Sequence, residues 1–267
     1  MRYALILSSS AAFLSAPTLA SEDMTLVWQD DFDGPLNKAS WHIVEGNGCP
    51  DHCGFGNNEL QTYTGDNSNL RTEGGMLVIE AHKANEGFTS AKITTQPLGG
   101  WQYGKISMRA KLPSGVGTWP AFWMMPMSST YGSWPKSGEI DIMEHVGYNQ
   151  NHVHGTIHTE AYNHRIGAQK GGETLIETAS DEFHTYSVEW DKNGMKWTID
   201  GAEYYAFARE DGATSAEWPF DQPFYAILNF AVGGDWGGAK GVDESAFPAR
   251  YEIDWVKVWQ KVSSPSR

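Results

Sequence analysis

Positive charge and cysteine are both scarce in this 267-residue chain, which has 19 Lys+Arg against 33 Asp+Glu, a net charge of −14 and only 2 Cys. The shortage of cations excludes a dedicated nucleic-acid binder, because phosphate contacts need clustered Lys and Arg, and it argues against a polyanionic ligand. Two cysteines allow at most one bridge within the chain. Long apolar runs are missing as well: past the N-terminus nothing approaches the roughly 20 residues that a membrane-spanning helix needs. No stretch of a dozen residues shows an amphipathic helical period, and there are no internal repeats, charge blocks or linker-like shifts in composition after Ala20. Those absences leave one non-helical domain.

Aromatic residues and glycine are plentiful, with 12 Trp, 11 Tyr, 11 Phe and 29 Gly, and 40% of the chain is hydrophobic, enough for a sizeable core. Trp-rich, Lys-poor surfaces suit the faces of sugar rings. Met1-Arg2, the mostly apolar or small run Tyr3 to Leu14, and the small residues at Thr18 and Ala20 read as a secretory signal cleaved after Ala20; a disordered or anchoring tail is the alternative. The expected division is 1–20 signal, 21–262 domain and 263–267 tail, giving an extracytoplasmic (secreted or periplasmic) monomer with no membrane association once the signal is removed. In an oxidising compartment the spacing of Cys49 and Cys53 most simply means a local disulfide that stiffens the loop leading to Asn57. A two-Cys, one-His zinc site and free thiols stay open.

The dominant period is two. Lys105 to Leu112 alternates polar and apolar residues, as do Tyr186-Val188-Trp190 and Met195-Trp197-Ile199, and Asp200-Gly201 marks a hairpin before Tyr204-Tyr205. Met76 to Ala81, Phe224 to Val232 and Tyr251 to Trp259 are further strands. The expectation is an all-β domain of two stacked antiparallel sheets.

The chemistry concentrates in Gly138-Glu139-Ile140-Asp141-Ile142-Met143-Glu144-His145. Glu139 and Asp141 share a face of a regular strand, and Glu144 faces away unless a one-residue bulge at Ile142-Met143 restores the phase. Three crowded carboxyls raise at least one pKa and leave one protonated beside one ionised, which is what glycosidic cleavage by two carboxylates requires. A solvated acidic strand edge is the alternative, disfavoured by the apolar Ile140, Ile142 and Met143.

In this segment the chain resembles glycoside hydrolase family 16, whose signature is Glu-x-Asp-x-x-Glu on a bulged strand. Trp28 to Gly34 resembles the family's opening, and Gly56 to Tyr63, Gly117 to Met124, His154 to His158, Asn229 to Trp236 and Tyr251 to Trp259 are similar to the laminarinase (endo-β-1,3-glucanase) branch, in the same order. The extra bulge residue resembles endo-β-1,3-glucanases and separates them from unbulged lichenases; agarases share the bulge but are expected to lack the Asn57 to Tyr63 segment. The resemblance implies a jelly-roll β-sandwich of the concanavalin A-like type with a cleft on its concave face. It implies retaining hydrolysis of β-1,3-glucan, with mixed-linkage β-1,3-1,4-glucan left open and no catalytic cofactor. It makes Glu139 the nucleophile, Glu144 the acid/base, and Asp141 the hydrogen-bond partner of the nucleophile. His158 is a candidate for orienting Glu144, or a core histidine. Trp119, Trp123 and Trp236 are candidate glucose platforms, Trp119 and Trp236 being placed in loops at the cleft rim by their flanking turn residues, with core packing as the alternative for each. Asn57 is a candidate hydroxyl binder or a loop cap. On the last strand Glu252, Asp254, Val256 and Val258 are expected on one face. The family's structural calcium would then use the Asp254 carboxylate and carbonyls of Asp31 and Gly75, unless Asp254 caps a turn or pairs with Arg250. A non-catalytic glucan-binding lectin on the same fold, and a hydrolase of agar, are the competing functions.

Overall fold

The computed structural model describes residues 24–261, so the expected signal 1–20 and tail 263–267 lie outside the described residues. In chain order the first strands are β1 (Met24–Asp30), β2 (His42–Val44), β3 (Gln61–Tyr63), β4 (Leu70–Glu73), β5 (Met76–Lys83) and β6 (Phe88–Ser90). They are followed by β7 (Lys92–Thr94), β8 (Gly104–Lys111), β9 (Thr118–Pro126), β10 (Glu139–His145), β11 (His152–His158) and β12 (Lys170–Leu175). The last are β13 (His184–Trp190), β14 (Gly194–Ile199), β15 (Ala202–Ala208), β16 (Phe224–Val232) and β17 (Ala249–Lys261). The helical pieces among the described residues are 3₁₀ turns of three or four residues. No described helix is long and apolar enough to cross a membrane.

Two sheets stack, as the period of two predicts. One has seven strands in the order β12-β11-β10-β9-β16-β7-β2; the other has ten, running β15-β14-β13-β8-β17-β5-β6-β3 with β1 added to β17 and β4 to β5. Pairing is antiparallel throughout except for β3 with β6. Between the sheets lies a single apolar cluster that includes Ile106, Met108, Phe122, Met124, Ile140, Ile142, Val188, Trp197, Phe224 and Val258, each at most 1% exposed. The β14–β15 hairpin turns on Asp200 and Gly201, both at positive φ (50° and 83°), the conformation that matches the twist of flanking strands. The outward face of the seven-stranded sheet carries the polar row that becomes the site.

The last strand departs from expectation. A bulge between Ile253 and Trp255 shifts the register of β17 on β8, so Val256 and Val258 turn into the core while Glu252 and Asp254 stay on the outer face. Asp254 is therefore not an acid among apolar neighbours. Its Oδ2 accepts from Arg109 Nη1 at 2.6 Å, whereas Arg250 bonds Glu73 at 3.2 Å and pairs with Glu252, not with Asp254.

Candidate active site

β10 is bulged where the acids require it. On the β9 side the register jumps between Asp141 and Met143, on the β11 side between Asp141 and Glu144, so Ile142 has no partner opposite it on either neighbour. Ile140, Ile142 and Met143 are buried in the core, while Glu139, Asp141 and Glu144 all face the outer cleft. The register then continues across the sheet: Glu144 stands opposite Ala121, Ala121 opposite Asn229, and Asn229 opposite Lys92. Directly opposed residues of an antiparallel pair share a face, so these side chains line one groove with Trp123, Asn57, Glu59 and Tyr63. A roomier hollow of about 600 Å³ lies at the β13–β14 turn and contains none of the three acids.

The three carboxyls occupy different environments. Glu139 Oε2 accepts from the indole of Trp134 at 2.6 Å, and Asp141 is hydrogen-bonded to Glu139. Glu144 Oε1 accepts from the indole of Trp119 at 3.0 Å. Burial pushes Glu139 up to about 7, opposed by the hydrogen bonds of Trp134 and Asp141 and by the charge of Lys92. Burial pushes Glu144 up to about 8, helped by the charges of Glu139 and Glu59 and opposed only by Trp119. Asp141 lies well above the usual carboxylate range, through burial first and then its two acidic neighbours. At neutral pH the arrangement therefore favours an ionised Glu139 receiving two hydrogens, a protonated Asp141 supplying one of them, and a protonated Glu144.

The groove floor is a connected polar network. Trp123 Nε1 donates to Asn229 Oδ1 (2.6 Å), Asn229 Nδ2 to the Tyr63 hydroxyl (2.9 Å), and Gln61 and Asn57 amides donate to Glu59 (2.6 and 3.1 Å). Lys92 Nζ lies 4.9 Å from the Trp123 ring centroid and 5.1 Å from that of Phe55, and burial lowers its pKa. Glu59, Gln61, Tyr63, Lys92, Asn229 and Trp134 are site residues that motif reading did not single out. The signal for the first three was present in their i, i+2, i+4 spacing beyond Asn57. Cys49 and Cys53 form a disulfide, as expected, in the loop that runs into Asn57.

Two expected roles are corrected. His158 does not orient Glu144, because register sets it opposite Glu139; its Nε2 lies 3.4 Å from Asp141 Oδ2 and 3.9 Å from Glu139 Oε1. Burial, with His164 nearby, depresses it to about 4, so it is neutral. On β11 the residue opposite Glu144 is His154. Trp119 is not in a rim loop but near the start of β9, with its N–H committed to Glu144. Trp236 does sit in a turn, edge-on to Trp119 at 5.5 Å and to His154 at 5.1 Å. Trp123 lines the groove, and Asn57 does so with its amide held by Glu59.

Around the residues expected to hold calcium, register brings the end of β1 (Asp30 opposite Val256) and the start of β5 (Leu77 opposite Ile253) to a junction beside Asp254. Asp31 and Gly75 flank that junction, and an all-oxygen donor set of this kind suits a hard cation. Arg109 occupies Oδ2 of Asp254 and Lys257 bonds Oδ1 of Asp31 at 2.8 Å. The one described cluster of three acid or His donors within 4.8 Å is Glu139, Asp141 and His158, in the groove itself.

The family model for "Glycosyl hydrolases family 16" matches residues 56–257. A β-glucanase of Rhodothermus marinus is 49% identical over 249 residues, covering 89% of this chain and 85% of its own. The crystal structure of the laminarinase from Rhodothermus marinus superposes with a TM-score of 0.86 at 46% identity, over 90% of this chain and 99% of the other. That of SCLam, described as a non-specific endo-β-1,3(4)-glucanase, superposes with a TM-score of 0.84 at 43% identity, over 92% and 95%.

Proposed function

The chain belongs to glycosyl hydrolases family 16, and from that premise we propose a retaining endo-β-1,3-glucanase of the laminarinase kind, acting without a catalytic cofactor. The carrying observation is the bulge in β10, which turns Glu139, Asp141 and Glu144 into one groove and gives each outer acid its own indole donor.

The charge states fit double displacement. Ionised Glu139 attacks the anomeric carbon of the glucose bound beside it, and the bond to the departing O3 breaks as Glu144 passes its proton to that oxygen. The glycosyl ester on Glu139 is then attacked by water, whose proton returns to Glu144, so both groups end as they began. Asp141 donates to Glu139 and holds its attacking oxygen in place. Neutral His158 packs against that pair and adds no charge to it.

Extension to mixed-linkage β-1,3-1,4-glucan belongs to the same proposal and is supported by the breadth of the SCLam relative. Reducing ends measured after incubation with laminarin, lichenan and agarose test all of this together. Laminarin should give the highest rate, lichenan a measurable one and agarose none. Binding of laminarin without cleavage would identify a lectin instead, and cleavage of agarose alone a different hydrolase.

Three finer points complete the proposal. Export is supported by the disulfide, which persists in oxidising compartments, and by the composition of residues 1–20; the exported protein should begin at Ser21 on N-terminal sequencing. A monomer is the expected assembly, checked by light scattering. A structural calcium held by the Asp254 carboxylate and the carbonyls of Asp31 and Gly75 is supported by the strand register at that junction. Its role would be stability alone.

A further inference from the structure

We propose that Trp197, on the sheet away from the groove, is a positioning residue whose indole N–H pins the carbonyl of Asp141 and so fixes the bulge that sets the acids in phase. This deepens the β-glucanase reading and rests on it.

Trp197 Nε1 donates to the Asp141 backbone oxygen at 2.8 Å, and both residues are buried, Trp197 completely. β14 belongs to the ten-stranded sheet and β10 to the seven-stranded one, so this bond crosses the core between layers. Its acceptor sits immediately before the interruption of the ladder: Asp141 is the last residue in register on both sides, and Ile142 is paired on neither. An extra residue at a bulge leaves backbone groups without their ladder partners, and a carbonyl turned into an apolar core needs a donor from somewhere else. Indole answers that need alone among large apolar side chains, since Nε1 donates and accepts nothing. A slip of one residue in β10 would move Glu144 to the opposite face, because strand faces alternate with a period of two.

The facing strand is cut to fit the indole. Gly155 lies on β11 between Thr156, opposite Asp141, and His154, opposite Glu144, so it stands across from the bulge. A Cβ placed on it would come within 2.5 Å of Trp197 Cδ1 and 2.8 Å of Nε1, and within 2.5 Å of the Tyr204 hydroxyl. Any side chain there displaces the indole. Tyr205 also packs on the indole, at 5.2 Å between centroids. Thus Trp197 of the Met195-Trp197-Ile199 pattern and Gly155 of His154-Gly155-Thr156-Ile157-His158 form one device.

Replacing Trp197 with benzothienylalanine by stop-codon suppression tests it, because sulfur takes the place of the N–H while ring size and shape are kept. The expected result is a folded protein whose kcat on laminarin falls about 100-fold, as for reacting groups displaced by around an ångström, with KM within about twofold of wild type. A crystal structure of that variant should show Glu144 moved from the Trp119 indole. Gly155→Ala, which pushes the same ring aside and leaves its N–H intact, should reproduce the loss of kcat at nearly constant KM. A kcat within about twofold of wild type in either folded variant would overturn the proposal and make Trp197 core filling, and so would parallel losses in kcat, KM and melting temperature. The wild-type control separates this from the parent reading. A wild type that releases nothing from laminarin sinks the glucanase assignment, and the bulge geometry in the variant's structure then still decides the lock.

Discussion

Glu139 and Glu144 carry the same functional group, and what divides their roles is the set of hydrogens pointed at each. Glu139 receives Trp134 N–H and the Asp141 proton, Glu144 only Trp119 N–H. A hydrogen bond to the anion lowers a carboxyl pKa, so its removal raises it. Trp134→Phe should therefore move the acid limb of the pH profile of kcat/KM, set by ionisation of Glu139 at about 7, to higher pH. Trp119→Phe should move the alkaline limb, set by loss of the Glu144 proton at about 8, to higher pH as well. An unmoved limb in either variant would separate that indole from its acid. The acids themselves were legible in the sequence because their spacing and type have little other use on a buried strand. The indoles were not: Trp134 precedes Glu139 by five residues and Trp119 sits on the neighbouring strand, so their N–H directions exist only after folding.

Among the elements, β10 and β17 show the same device with opposite legibility. Both contain a bulge, and in β10 three acids betray it because only a phase shift brings them together. In β17 nothing in the pattern demands a shift, and regular alternation wrongly put Asp254 on the face of Val256 and Val258. A bulge costs one unpaired residue and leaves no composition signal of its own. The loop carrying the disulfide is a clearer case. Gly54 N–H bonds Asn47 O and Glu59 N–H bonds Gly54 O at 2.8 and 3.2 Å, so the bridged segment delivers Asn57 and Glu59 to the groove floor. Closing so short a loop adds little through chain entropy. The Cys49→Ser, Cys53→Ser double variant should therefore raise KM for laminarin several-fold with the melting temperature nearly unchanged. A constant KM in a folded variant would disconnect the loop from binding.

At the scale of the molecule, the groove is a cost to the fold that depends on pH. Burial lifts Glu144 from the ordinary carboxylate range to about 8, so the folded state holds its proton more tightly than the unfolded chain. The stability this contributes is complete below the unfolded pKa near 4.5 and is lost as pH rises towards 8. Gln does not titrate. The melting temperature of Glu144→Gln should then exceed that of wild type by a margin that grows from pH 4.5 to pH 8, at about 2–4 °C per kcal/mol for a domain of this size. A constant margin across that range would contradict the buried charge state. The proposed calcium would act at the same scale: at a concentration about 100 times its dissociation constant, an ion bound only by the folded state adds about 2.7 kcal/mol. Chelation should lower the melting temperature by several degrees and leave activity at low temperature unchanged, and Asp254→Asn should abolish the response. Chelation without effect would leave Asp254 as the partner of Arg109 and nothing more. The two-layer architecture was legible from the period of two alone, while the order of strands across each sheet rests on long-range pairings such as β17 between β5 and β8, which local pattern does not encode.

The division of labour between the two glutamates is tested most directly by trapping the covalent intermediate. A 2-deoxy-2-fluoro-laminaribioside with a dinitrophenolate leaving group slows the second step, and peptide mapping by mass spectrometry locates the sugar. The prediction is stoichiometric labelling at Glu139, abolished in Glu139→Gln. A label on Glu144 or Asp141, or turnover with inverted anomeric configuration and no label, would contradict it.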